Sequence, residues 1–161
     1  MVERFYVPEL PACGESAMLF KFGGLPVGRA VMLTSEQIAR AKREFQYSAP
    51  GNIHHEHDDC IRIAYEWLDA QIKLGRTQRG YVALKHIIEE WGGRYVSQND
   101  VEIAAHLHPE VRGIYPAFNL SRKAVEPCTS RLKGIEQANR MPGYRDNHSS
   151  ANYRSRELRA G

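Results

Sequence analysis

The stretch that decides the fold is His54-His55-Glu56-His57-Asp58-Asp59-Cys60-Ile61-Arg62-Ile63-Ala64-Tyr65-Glu66-Trp67-Leu68-Asp69-Ala70-Gln71-Ile72-Lys73-Leu74. Within it Ile61, Ala64, Tyr65, Leu68 and Ile72 recur at i, i+3, i+4, i+7 and i+11, and Trp67 widens the stripe, so one face of a helix is apolar. The spacing predicts a central helix over residues 56–74, ended by Gly75. Asp58 and Asp59 fall in its first turn, where carboxylates meet the positive end of the helix dipole.

On the N-terminal side, Leu33-Thr34-Ser35-Glu36-Gln37-Ile38 reads as a helix start. Thr34 caps, Gln37 reaches back three positions as in a capping box, and Leu33 staples to Ile38. A helix over 35–45 follows, broken by Ser48, Pro50 and Gly51. Before it, the short apolar runs 17–22 and 27–33 flank Gly23-Gly24-Leu25-Pro26 and predict a β-hairpin.

On the C-terminal side, Leu84, Ile87, Ile88 and Trp91 give the apolar face of a helix over 80–91, stopped by Gly92-Gly93. Ser97 with Asp100 approximates another capping box, opening a helix that Pro109 closes. Residues 111–120 carry no clear period, and 130–138 allow one short helix. Residues 139–161 have few apolar side chains and no stripe, so a disordered, extended arm is expected. The expected architecture is α+β and mostly helical. An N-terminal hairpin packs on three or four helices in a single folded domain over 1–138, followed by a basic tail over 139–161.

Composition narrows the class. The 161 residues suit one domain, and 42% hydrophobic with 25% charged residues excludes a wholly disordered or collagen-like chain. No ~18-residue apolar run or secretory leader is evident, and Cys13, Cys60 and Cys128 form neither a disulfide framework nor a paired thiolate site. A reducing cytoplasm and no membrane contact are expected. The net charge is +3, yet residues 1–138 balance at 17 basic and 17 acidic, so the whole excess lies in the last 23. Residues 121–161 hold nine basic against four acidic side chains, a net of +5.

That distribution points to an anionic partner, either nucleic acid or an acidic protein surface. In the tail, Arg140, Arg145, Arg154, Arg156 and Arg159 alternate with Tyr144 and Tyr153, a mixture suited to phosphates and base faces. The helix pair over 80–108 has the outline of a helix-turn-helix. Gln98 and Asn99 would read base edges there, and Arg76, Arg79, Lys85 and Arg94 would contact phosphates. Glu102 and Asp100 would repel them. The leading expectation is a non-enzymatic DNA-binding or regulatory protein that needs no cofactor.

Two alternatives come from other classes. His54, His55, His57, Asp58 and Asp59 are chemically apt ligands for a divalent metal, completed by His86, His106 or His108, and a metal-bound water would make a hydrolase or nuclease. The cluster lacks the two-histidine spacing of the metalloprotease helix. Tyr115, Pro116 and Phe118 would instead serve an adaptor or inhibitor that binds another protein. Nucleophile elbows, phosphate loops and dinucleotide fingerprints are missing, and Cys60 beside His57 has no established geometry, so the reading leans away from an enzyme.

Overall fold

The computed structural model describes residues 32–47, 50–78 and 84–157. The expected N-terminal hairpin, Arg79 and Arg159 lie outside them. The described chain is mixed helix and sheet, with helices α1 (Ser35–Glu44), α2 (Asp58–Ala70), α3 (Leu84–Gly92), α4 (Gln98–Leu107) and α5 (Pro142–Asp146). Two small sheets join them: β1 (Gly113–Ile114) antiparallel to β2 (Ala117–Phe118), and β3 (Val125–Glu126) parallel to β4 (Ser155–Arg156). Among the described residues no helix is long and apolar enough to cross a membrane.

Both capping boxes form. Thr34 accepts from the Gln37 amide at 3.2 Å while Gln37 accepts from the Thr34 amide at 2.9 Å. Ser97 and Asp100 do the same at 3.0 and 2.8 Å. Each box satisfies two amides that a helix N-terminus otherwise leaves without partners.

The core lies between α2 and α4. Ile61, Ile63, Ala64, Trp67 and Leu68 of α2 are fully buried against Val101, Ile103 and Ala104 of α4, with Leu84, Ile88 and Trp91 of α3 beside them. Burying each large side chain contributes roughly 1.5–3 kcal/mol. The central helix stops at Ala70, four residues short of the expected end, and Ile72 is 52% exposed. The chain leaves the helix there because the backbone of residues 72–74 pairs with residues 119–121 instead. Leu74 donates to the Asn119 carbonyl at 2.7 Å and Ser121 to that of Ile72 at 2.8 Å.

The second half of α3 closes on Gly93, whose φ of +59° lets the Arg94 amide reach the Glu89 carbonyl at 3.2 Å. This six-to-one bond is the helix-ending geometry for which glycine is suited.

Residues 139–157, expected as an extended tail, make backbone contacts to the body in this structure. Asn139 and Met141 donate to the carbonyls of Gly92 and Gly93 at 2.8 and 2.9 Å, Arg145 to that of Trp91, and Glu157 to that of Glu126 at 2.9 Å. The expected short helix over 130–138 is a single 3-10 turn, Thr129–Leu132. Polar side chains supply further contacts of this segment. Arg131 forks between Glu157 (2.6 Å), Asp69 (2.8 Å) and Glu66 (3.0 Å).

Candidate functional site

The histidine cluster is a joint between the loop before α2 and the start of α4. Asn99 accepts from the His54 amide at 2.8 Å, the Ser97 hydroxyl donates to the His54 carbonyl at 2.6 Å, and Asp100 takes the His55 Nδ1 at 2.8 Å. His55 Nε2 meets the Tyr47 hydroxyl at 2.8 Å. Three polar side chains of one helix start, Ser97, Asn99 and Asp100, thus pin two adjacent residues of the loop.

The remaining members point elsewhere. His57 caps α2 by accepting from the Asp59 amide at 3.0 Å. Asp58 pairs with Lys42 at 2.7 Å, and Asp59 with Arg62 at 2.6 Å and the Gln137 amide at 3.1 Å. Of the distant histidines, His86 meets Glu89 at 2.8 Å and His108 meets Asp69 at 3.1 Å. His106 faces the Phe45 ring, centroids 5.2 Å apart. Among the described residues no three His, Cys, Asp or Glu side chains converge as metal ligands. The proposed metal set is separated because Asp58 turns to Lys42 of α1, and Asp59 to Arg62 of its own helix and to the Gln137 amide. Cys60 is equally unsuited to nucleophilic work, since burial pushes its thiol up to about 12.

The helix pair does not present a recognition face. Asn99 is 4% exposed, with its amide spent on His54 and on Glu102 at 3.2 Å. Gln98 also donates to Glu102, at 3.2 Å. Arg94, expected on phosphate, is 5% exposed and pairs with Glu56 at 2.9 Å. Lys85 holds the buried Glu89 at 3.1 Å and lies over the Tyr95 ring. The physical reason is position: α4 is the helix on which α2 packs, so its polar residues line internal joints. Arg76 remains exposed.

The C-terminal arginines divide in two. Arg140 pairs with Glu136 at 3.4 Å, Arg145 binds the Trp91 carbonyl, and Arg156 pairs with Glu126 at 2.5 Å. Tyr153 is turned inward, its hydroxyl accepting from Trp67 at 3.3 Å, while Tyr144 is half-buried. Arg154 is exposed, and its amide donates to the Ala124 carbonyl at 2.8 Å. Because β3 and β4 run parallel, their starts lie at one end, which brings the Arg154 backbone against Ala124, the residue that follows exposed Arg122 and Lys123. None of these three has an ion pair among the described residues.

A cavity of about 390 Å³ opens beside α4. Phe45, Ala105, Val111, Tyr115 and Phe118 give it apolar walls, and Glu102 and His106 add polar ones. Phe118 and Tyr115 belong to it, and Pro116 follows a cis peptide in the same β1–β2 turn.

Tyr47, Arg122 and Lys123 were not singled out from the sequence. Tyr47 carries no local signal, since its partner His55 is eight positions away and oriented by Asp100 a further 45 away. Arg122 and Lys123 entered only through the charge count, which says nothing of where β4 returns. Comparison with known proteins finds no matching family model, curated protein or solved structure.

Proposed function

We propose that this chain is a nucleic-acid-binding or regulatory protein that attracts phosphate through the basic end of its β3–β4 pair. The observation carrying the reading is the backbone bond of Arg154 to Ala124, which sets Arg154 against the segment of Lys123 and Arg122, all three exposed and with no ion pair among the described residues. Surface cations close to one another repel, and phosphate oxygens relieve that repulsion while releasing counterions. The contact is to backbone, so sequence preference is weak. The helix pair supports the surface from within, leaving Gln98, Asn99 and Arg94 to structural roles.

The test is the salt dependence of affinity for short single- and double-stranded oligonucleotides. The triple variant Arg122→Gln, Lys123→Gln, Arg154→Gln is expected to flatten the log–log slope by about 2–3 units, from roughly 0.7–0.9 per phosphate contact. An unchanged slope in the folded variant, or no binding by the parent protein at low salt, overturns the reading.

A further inference from the structure

Tyr47, His55 and Asp100 form a line of three side chains from the segment after α1, the loop before α2 and the first turn of α4. Both links are 2.8 Å, phenol oxygen to Nε2 and Nδ1 to carboxylate. Asp100 is fully buried, and its second oxygen accepts the Ser97 amide at 2.8 Å. Its remaining oxygen therefore receives the imidazole Nδ1–H, leaving Nε2 to accept from the phenol. The loop cannot swing away, because Asn99 and Ser97 hold the backbone of His54 from the same helix start. An oxygen nucleophile, a base within reach and a carboxylate that orients the base are the parts of an activated nucleophile.

We propose that the Tyr47 hydroxyl is a nucleophile toward neutral, apolar acyl donors, with His55 as its general base and Asp100 positioning His55. The donor class follows from the surroundings. Asp100 and Glu102 of α4 place negative charge near the phenol, which disfavours anionic phosphoryl donors, and both act with burial to raise its pKa. Lys42 of α1, whose carbonyl lies 3.4 Å from the phenol, has its ammonium committed to Asp58. His106 stands beyond the Phe45 ring. Phe45 meets Tyr47 edge-on at 5.1 Å and also lines the cavity, so apolar space begins one ring away.

In the step, the phenol oxygen attacks the acyl carbonyl as its proton passes to His55 Nε2. The tetrahedral adduct then expels the donor's alkoxide or phenoxide, which takes the proton from His55, leaving O-acyl Tyr47 and a free alcohol or phenol. No oxidant or reductant is involved. This inference stands apart from the basic edge, and either reading can fail without the other.

p-Nitrophenyl acetate is the probe, with the acetylated site located by peptide mass spectrometry on the full chain. Tyr47 is expected to react about 100-fold faster than Tyr144, the low end of general-base assistance. In His55→Gln the Tyr47 rate falls to that of Tyr144, and in His55→Gly added imidazole restores it, which a structural role would not do. Tyr47 labelling no faster than Tyr144 overturns the proposal. Because that comparison is measured on the unsubstituted protein, a variant that fails to fold does not shield it.

Discussion

Trp67 donates its indole hydrogen to the Tyr153 hydroxyl at 3.3 Å, joining the middle of α2 to a residue 86 positions later. Trp91 makes a matching contact from α3, donating to the Pro127 carbonyl at 3.0 Å. The two tryptophans of the chain are thus the buried anchors for its C-terminal third.

Burial foremost, with the charges of Glu126 and Glu90 adding to it, lifts the Tyr153 phenol to about 12, above the 10.0 of an unfolded chain. A raised folded value means the neutral phenol is favoured, so this stability is present below pH 10 and is lost as pH climbs through about 12. Tyr153→Phe is expected to cost about 1 kcal/mol at pH 7, the worth of one hydrogen bond. It is also expected to remove the alkaline loss between those limits. Urea midpoints at pH 7, 10 and 11.5 check both.

Asp69 behaves oppositely. Burial alone would raise its carboxyl, but hydrogen bonds from His108 and Arg131 outweigh that and hold it at about 2. Its contribution is therefore complete above the ordinary 3.8 and fades as pH falls toward 2. Arg131→Gln leaves Glu66, Asp69 and Glu157 close together without their shared cation. A cost of about 2–3 kcal/mol is expected at pH 7, below the fully buried range because Arg131 is partly exposed. Acid titration of stability should show the variant's deficit shrinking below pH 4.

The paired glycines after Trp91 are expected to fail differently. A Cβ on Gly92 would overlap Ile63 Cγ2 in the core, whereas one on Gly93 would come within 2.9 Å of the Asn139 Cα at φ +59°. Gly92→Ala is expected to cost about 1–3 kcal/mol through overpacking of α2 against α3. Gly93→Ala meets backbone as well as a left-handed conformation, at about 2–3 kcal/mol. Hydrogen exchange distinguishes them: Gly93→Ala should lose protection at the Asn139 and Met141 amides, and Gly92→Ala in α2.

Asn99→Ala removes the acceptor for the His54 amide and a donor to Glu102. It is expected to destabilise by about 1–2 kcal/mol while leaving oligonucleotide affinity of the folded protein unchanged. A tenfold loss of affinity at equal stability would return α4 to the contact surface.

Helix starts were the most legible feature, because capping is local: Thr34 with Gln37, and Ser97 with Asp100, need only three residues of separation to act. Apolar periodicity placed the core faces of α2 and α3 for the same reason. It overran at Ile72, where the competing pairing with Leu120 and Ser121 comes from about 50 residues away. The metal set failed because neighbours along a chain need not face one another: Asp58 turns to α1 and Asp59 to Arg62 and Gln137. The contacts of residues 139–157 were illegible because they rest on single polar groups. Arg131 with Glu157 leaves no period in the sequence.

The parallel register of β3 with β4 has a second consequence. The Gln71 side chain both donates to and accepts from the backbone of Val125, at 3.0 and 2.9 Å, while Ser155 pairs with Val125 in the register. Gln71 is in effect a one-residue strand that offers β3 the bonds of a neighbour. Contacts as distant in sequence as β3 with β4 are slow to form. The seam that positions the Arg154 backbone is therefore expected to close later than the local turns of the helices.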